Sequence, residues 1–210
     1  MTTESKPRGP YAKSLEVRQR IIDASIEVFG ATGYYGTTMK DIAAAVGISQ
    51  MGLAHHFPSK EALLTATIEW RDKQSENFFT PAEYGLDSLL VYIAVVVEDQ
   101  KQPGLVELQT ILAGESTTAS HPAHATHQAR YRDLRLYLTR TFQALADQGD
   151  LVSALPSETL ASTMIALSDG LHIQWLLDPD AVDVGAALRG FVLSVVATEL
   201  PEPHLPTADR

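Results

Sequence analysis

Thr37-Thr38-Met39-Lys40-Asp41-Ile42-Ala43-Ala44-Ala45-Val46-Gly47-Ile48-Ser49-Gln50-Met51-Gly52-Leu53-Ala54-His55-His56-Phe57-Pro58-Ser59-Lys60-Glu61-Ala62-Leu63 is the stretch that decides the fold. Thr38 and Asp41 stand at capping-box spacing ahead of the run Ile42–Val46. Gly47 breaks that helix after two turns, and Ser49 is a natural N-cap for a third, very short helix that Pro58 terminates. Two short helices joined by a tight glycine-containing turn form a helix-turn-helix, whose second helix can enter the DNA major groove. Ala43, Ala44 and Ala45 are small enough for the helices to cross closely. Ile42, Val46, Ile48, Leu53 and Phe57 can lock them onto a first helix with Ile21, Ile22, Ser25, Val28 and Phe29 on one face, closed by Gly33.

That arrangement leaves Ser49, Gln50, Met51 and Gly52 at the exposed start of the reading helix, where base contact is expected. Gln50 can pair bidentately with adenine, and Met51 can pack on a thymine methyl. Gly52 lowers helix propensity, which suggests close approach of backbone to DNA. Phosphate contact is expected at Thr37, Thr38, His55, His56 and Lys60. Thr38 sits at a helix N-terminus, where hydroxyl and N–H can face an anion. Lys60 lies beside the Ser59 cap of a fourth helix, a position unfavourable for a cation unless a phosphate faces it.

Nearly every later segment also reads as helix. Leu86–Val97 is apolar almost all round, the pattern of a helix buried on every side. Pro103-Gly104, Pro122, Pro156-Ser157 and Asp178-Pro179-Asp180 punctuate the remainder, the last helix ending near Glu199. The expected class is all-α, a three-helix DNA-binding domain followed by a helical bundle. The expected division is 1–58 for the head with a basic N-terminal tail and 59–80 for a linking helix. A ligand-binding and dimerisation domain over 81–200 and a flexible tail over 201–210 complete it.

The charge distribution agrees with this division. The net charge is −10, but residues 1–75 carry +1 and residues 76–210 carry −11. Lys6, Arg8, Lys13, Arg18 and Arg20 make a basic tip opposed only by Glu4 and Glu16 within the first twenty residues. An acidic body with a basic tip approaches a polyanion tip first. The absence of cysteine excludes disulfide scaffolding, thiolate zinc sites and thiol nucleophiles. The polar N-terminus has no signal-peptide core and the longest apolar run, Leu89–Val97, is too short for a bilayer, so a cytoplasmic location without membrane contact is expected.

The runs IAAAVGIS and LAHHFPSKEALL resemble the TetR family of bacterial regulators, strongly over about residues 14–65 and in length and helix order beyond. The resemblance implies a homodimer on double-stranded operator DNA, with the last two long helices dimerising. It implies repression relieved by an unknown small, mostly apolar effector, and no cofactor or enzymatic activity. Met51-Gly52-Leu53-Ala54 departs from the family's common Gly-Thr-Leu-Tyr, so the aromatic hydroxyl that often contacts phosphate is missing at Ala54. The helices enclosing the family's ligand cavity carry Trp70, Tyr92, Tyr131, Arg135, His172 and Trp175, taken as pocket residues. Leu160, Met164, Leu171, Leu188, Phe191 and Val195 are taken as the dimer interface, with small neighbours that permit close helix approach.

Other readings fare worse. There is no GxSxG, Walker loop, HExxH or GxGxxG for an enzyme. His121, His124 and His127 form HxxHxxH, but Pro122 biases His121 out of the helix, and no metal is assigned. The alternative is a helical small-molecule-binding protein with no DNA role.

Overall fold

In the computed structural model, the structure describes residues 10–75, 79, 83–197, 201–203 and 205. Lys6 and Arg8 of the basic tip lie outside the described residues, as does the Glu199 end of the last helix. The elements are α1 (Pro10–Gly36), α2 (Met39–Val46), α3 (Gln50–His56), α4 (Lys60–Ser75), α5 (Leu86–Asp99), α6 (Pro103–Glu115), α7 (His124–Gln148), α8 (Ser157–Leu177) and α9 (Val184–Val195). Among the described residues the one extended pairing is an isolated antiparallel bridge between Leu151 and Val196.

The caps explain the head. Thr38 Oγ1 accepts from the Asp41 N–H at 3.2 Å and Asp41 Oδ2 accepts from the Thr38 N–H at 2.9 Å, completing the capping box. Gly47 takes the left-handed conformation at φ 76°, closing α2. Ser49 Oγ accepts from the Gly52 N–H at 3.0 Å and Ser59 Oγ from the Ala62 N–H at 3.0 Å. Arg18 and Arg20 finish the job from α1. They donate to the carbonyls of His56 at 3.1 Å and Val46 at 2.9 Å, the C-terminal ends of α3 and α2. Two cations of the expected basic tip are therefore helix caps.

Gly33 breaks α1 at φ 71°, ψ 176°, a region open essentially to glycine alone. The chain turns there and still makes one more helical turn to Gly36.

The core falls into two clusters, and the boundary differs from the expected one. One gathers Leu89, Ile93, Leu138, Phe142, Leu160, Met164 and Leu188 from α5, α7, α8 and α9. The other gathers Ile21, Phe29, Ile42, Leu53 and Leu64 of the head together with Leu105, Leu108 and Leu112 of α6. Helix α6 thus completes the head's core. The backbones come so close that a Cβ on Gly30 would stand 3.0 Å from the Gly104 carbonyl oxygen and 3.2 Å from the Leu108 nitrogen.

The assignment of interface residues on α8 and α9 is corrected by the same burial. Leu160, Met164, Leu171, Leu188 and Val195 are buried within the protomer, and Phe191 packs half-buried against that core. Large apolar residues were drawn inward because the bundle needs them. The outward stripe of α8 is instead Thr159, Ser162, Ala166, Gly170, Ile173 and Leu177, and that of α9 is Ala186, Gly190 and Ser194 flanked by Leu193. Of the expected tail, residues 201–203 and 205 are described, and Arg189 donates to the Pro201 carbonyl at 2.6 Å.

Candidate nucleic-acid interface and ligand cavity

Helix α3 is held by one fully buried residue, Leu53, with Phe57 buried behind it and the Arg18 guanidinium stacked 4.1 Å over the Phe57 ring. Everything else on the helix is available. Ser49, Gln50, Met51, Ala54 and His55 are exposed, Gly52 and His56 partly so, and Met51 at 84% is an apolar side chain with nothing to cover it. No Cβ contact forbids a side chain at Gly52 beyond the cap itself, Ser49 Oγ at 3.3 Å.

The expected phosphate residues divide. Thr38 is exposed, but its N–H and hydroxyl are engaged with Asp41, whose carboxyl these bonds hold below the usual range. Thr37 is buried and its hydroxyl donates to the Gly33 carbonyl at 2.7 Å, so that side chain is spent inside the protein. Lys60 is likewise engaged. Its Nζ donates to the carbonyls of Tyr34 at 2.7 Å and Thr37 at 2.8 Å and lies 4.2 Å over the Tyr34 ring. The cation at the start of α4 is thus matched by the carbonyls that end α1, a partner the sequence position did not reveal. Lys60→Ala should therefore lower stability by about 1.5–3 kcal/mol, for loss of charge-assisted bonds, and with it the thermal midpoint before any DNA is present. A melting curve identical to wild type, together with a salt slope of DNA binding reduced by about one, would return Lys60 to the phosphate backbone.

The three histidines after α6 go to separate backbone partners. His121 Nδ1 accepts from the Ala123 N–H at 3.1 Å, His124 Nδ1 donates to the Ser116 carbonyl at 2.7 Å, and His127 Nδ1 donates to the Ala123 carbonyl at 3.2 Å. His121 is buried between Tyr34 and Tyr35, its ring edge-on to both, and its Nε2 stands 3.6 Å from Glu115. Burial pushes its pKa down more strongly than Glu115 raises it. Glu115 reaches into the head, accepting from the Tyr34 N–H at 2.8 Å immediately after the Gly33 break.

Beyond this seam lies a partly open cavity of about 90 Å³ among α4, α6, α7 and α8. Arg71, Gln109, Ala113, His127, Arg130, Tyr131, Asp169 and His172 are among its walls. Of the six residues expected to line a pocket, Tyr131 and His172 do so. The others are placed elsewhere for clear reasons. Trp70 packs on the head's core, Trp175 packs on the bundle core, Arg135 is exposed, and Tyr92 is buried with its hydroxyl bonded to Ser168 at 2.8 Å. Arg71, Gln109, Arg130 and Asp169 went unrecognised, because only the packing of four helices brings them together.

This lining is mixed, with Arg71, Arg130 and Asp169 beside Ala113, Leu134 and Ile173, where the resemblance implies a mostly apolar effector. Tyr131 donates to Asp169 at 2.9 Å, and burial with that neighbouring carboxylate pushes the phenol up to about 12. His172 Nε2 donates to the Val96 carbonyl at 3.2 Å, and burial lowers the ring's pKa. Arg130 and Leu134 separate the cavity from an open cleft of about 630 Å³ between α4 and α7, with Phe79 and Tyr137 on its wall.

The comparisons agree with this geometry at both ends of the chain. Residues 21–67 match the family model for bacterial regulatory proteins of the tetR family, and residues 87–201 match the BetI-type transcriptional repressor C-terminal model. The HTH-type transcriptional regulator SrpR of Pseudomonas putida is 30% identical over 175 residues, 82% of this chain and 81% of that protein. The HTH-type transcriptional regulator TtgR, also of Pseudomonas putida, is 28% identical over 84% of this chain and 88% of its own. Among solved structures, a SmeT–triclosan complex superposes with a TM-score of 0.72 at 22% identity, covering 91% of this chain and all of that one. With a helix-turn-helix and a helical C-terminal domain each matched in place, the chain belongs to the TetR family of DNA-binding transcriptional regulators.

Proposed function

We propose that the chain is a homodimeric repressor that leaves its operator when a small molecule occupies the cavity of the larger domain. The observation that carries this reading is the double duty of α6. Its Gln109, Thr110 and Ala113 wall the cavity, while its Gly104 and Leu108 press on Gly30 and its Glu115 holds the Tyr34 N–H. A ligand that moves α6 moves the head. It favours release of DNA to the extent that it binds the DNA-incompetent arrangement better. The structural neighbour SmeT, solved with triclosan, supports a ligand in such a fold.

Two heads are needed for two half-sites, about 34–36 Å apart. The outward faces of α8 and α9 suit a second copy: their centres carry small and apolar residues, with Ile173 46% and Leu177 82% exposed. Base reading falls to the exposed start of α3, and phosphate contact to His55 and the exposed Lys40. Gln50→Ala should cost about 1–3 kcal/mol on the operator found by binding-site selection and leave random DNA nearly unaffected. Equal losses on both would make Gln50 a backbone contact. Release by an added ligand, read as loss of a mobility shift, tests the repressor half of the proposal.

A further inference from the structure

Arg71 is a buried charge that makes ion pairs but no hydrogen bond among the described residues. Its side chain is 9% exposed, and its nearest carboxylate oxygens are Asp72 Oδ1 at 3.5 Å and Asp99 Oδ2 at 3.9 Å, neither of them a hydrogen bond. Those carboxylates have better partners, because Asp72 accepts from Arg130 at 2.7 Å and Asp99 from Gln109 at 3.2 Å. The guanidinium therefore lines the cavity with its planar fork of N–H donors making no hydrogen bond among the described residues. Burial and the neighbouring Arg130 bring its pKa down to about 9 in spite of Asp99 and Asp72. A buried guanidinium whose carboxylates stand only at ion-pair distance still has N–H donors to give, and a closer anion would take them.

The rest of the lining has the opposite need. Asp169 has one donor, Tyr131, and can accept more. His127 and His172 each give one ring N–H to a backbone carbonyl, so the second nitrogen of each is a lone pair. Donors cluster at Arg71 and acceptors at Asp169, His127 and His172. Tyr131 is the one phenol ring in this lining, short of the several aromatic faces that cage a quaternary cation.

We infer that the cavity takes an organic carboxylate that also carries a hydroxyl or amino group, with the carboxylate on Arg71 and the second group among Asp169, His127 and His172. This deepens the effector reading and rests on it. At about 90 Å³ the cavity is smaller than the roughly 150 Å³ that holds a benzene ring. It fits the polar end of the molecule, and a larger body continues past Arg130 and Leu134 into the open cleft.

The test is a charge series on fixed frames, applied to the full-length dimer. 4-Hydroxybenzoate, 4-hydroxybenzyl alcohol and 4-hydroxybenzylamine share one frame; L-lactate and 1,2-propanediol share a shorter one. Melting temperature and operator release are read for each. At least one acid should raise the melting temperature where its neutral and cationic counterparts do not. Arg71→Gln should weaken that acid tenfold or more, with Arg71→Lys falling between, because the lysine keeps the charge and loses the fork. Helical circular dichroism confirms that each variant is folded. Should Arg71→Gln fail to fold, Asp169→Asn carries the test by erasing the preference for 4-hydroxybenzoate over benzoate. Binding of the alcohol or amine in place of the acids overturns the inference and leaves the effector reading standing. A shift by neither acid also overturns it. An acid that stabilises the protein without releasing DNA supports the ligand class and sinks the effector reading.

Discussion

Gly33→Ala is expected to lower stability by about 3–5 kcal/mol and to loosen the DNA-binding head from the body. Two costs combine. Gly33 sits at φ 71°, ψ 176°, where a residue with a Cβ pays about 1–3 kcal/mol in backbone strain. The new Cβ also falls on the Glu115 carboxylate, which must give up the Tyr34 N–H it accepts at 2.8 Å. A bond to a charged acceptor contributes about 1.5–3 kcal/mol. In a chain of this size the melting temperature should fall by roughly 10 °C. Gly114→Ala is the control, since it lies one residue before Glu115 on α6 and a Cβ there meets nothing within 4 Å. That change should stabilise by up to about 1 kcal/mol through helix propensity. If both variants melt together, the break at Gly33 is not what holds the two parts in register.

Ala166→Arg is expected to turn the dimer into monomers and to abolish operator binding while leaving the protomer folded. Ala166 lies at the centre of the outward stripe of α8 and is exposed in the protomer, where arginine is a good helix former. Across a two-fold interface the same residue faces a stripe of alanine, glycine, isoleucine and leucine, and the nearest carboxylate on its own helix, Asp169, is already engaged by Tyr131. An unpaired charge buried there costs about 3–5 kcal/mol, felt in both protomers. Sedimentation should show the monomer mass, and the operator should lose its affinity because one head reads only half a site. A dimer that survives with full operator affinity would remove α8 from the interface. Phe191→Glu makes a poorer probe, because Phe191 packs on the protomer's own core and its loss confuses folding with assembly.

The head was legible in the sequence because its signals are local. Thr38 with Asp41, Gly47, Ser49 and Ser59 each act within three or four residues, and each does in the structure what its spacing implies. Side chains that answer to distant partners were not legible. Lys60 turns to carbonyls of Tyr34 and Thr37, Arg18 and Arg20 to the ends of α3 and α2, and all of them had the appearance of cations awaiting phosphate. Helical periodicity marked α8 and α9 as apolar but did not say which apolar residues face inward. Packing against α5 and α7 decided that: Leu160, Ala161, Met164 and Leu188 face the protomer core, while Ala166, Ile173, Leu177 and Leu193 are left outside. The cavity is the extreme case, since Arg71, Arg130 and Asp169 sit on three helices and nothing in the sequence brings them together.

Because Leu105, Leu108 and Leu112 complete the head's core, the DNA-reading part of this chain is not a cassette. Cutting after the fourth helix and grafting the first seventy-five residues onto another regulator's body would strip that core of one wall and leave Tyr34 without Glu115. A working chimera must carry α6 along, with Gly30 and Gly104 kept as a pair, or rebuild the recipient's equivalent helix to match them. Rewiring specificity is therefore better done by exchanging only the seven residues of α3, whose single buried anchor, Leu53, asks little of the replacement.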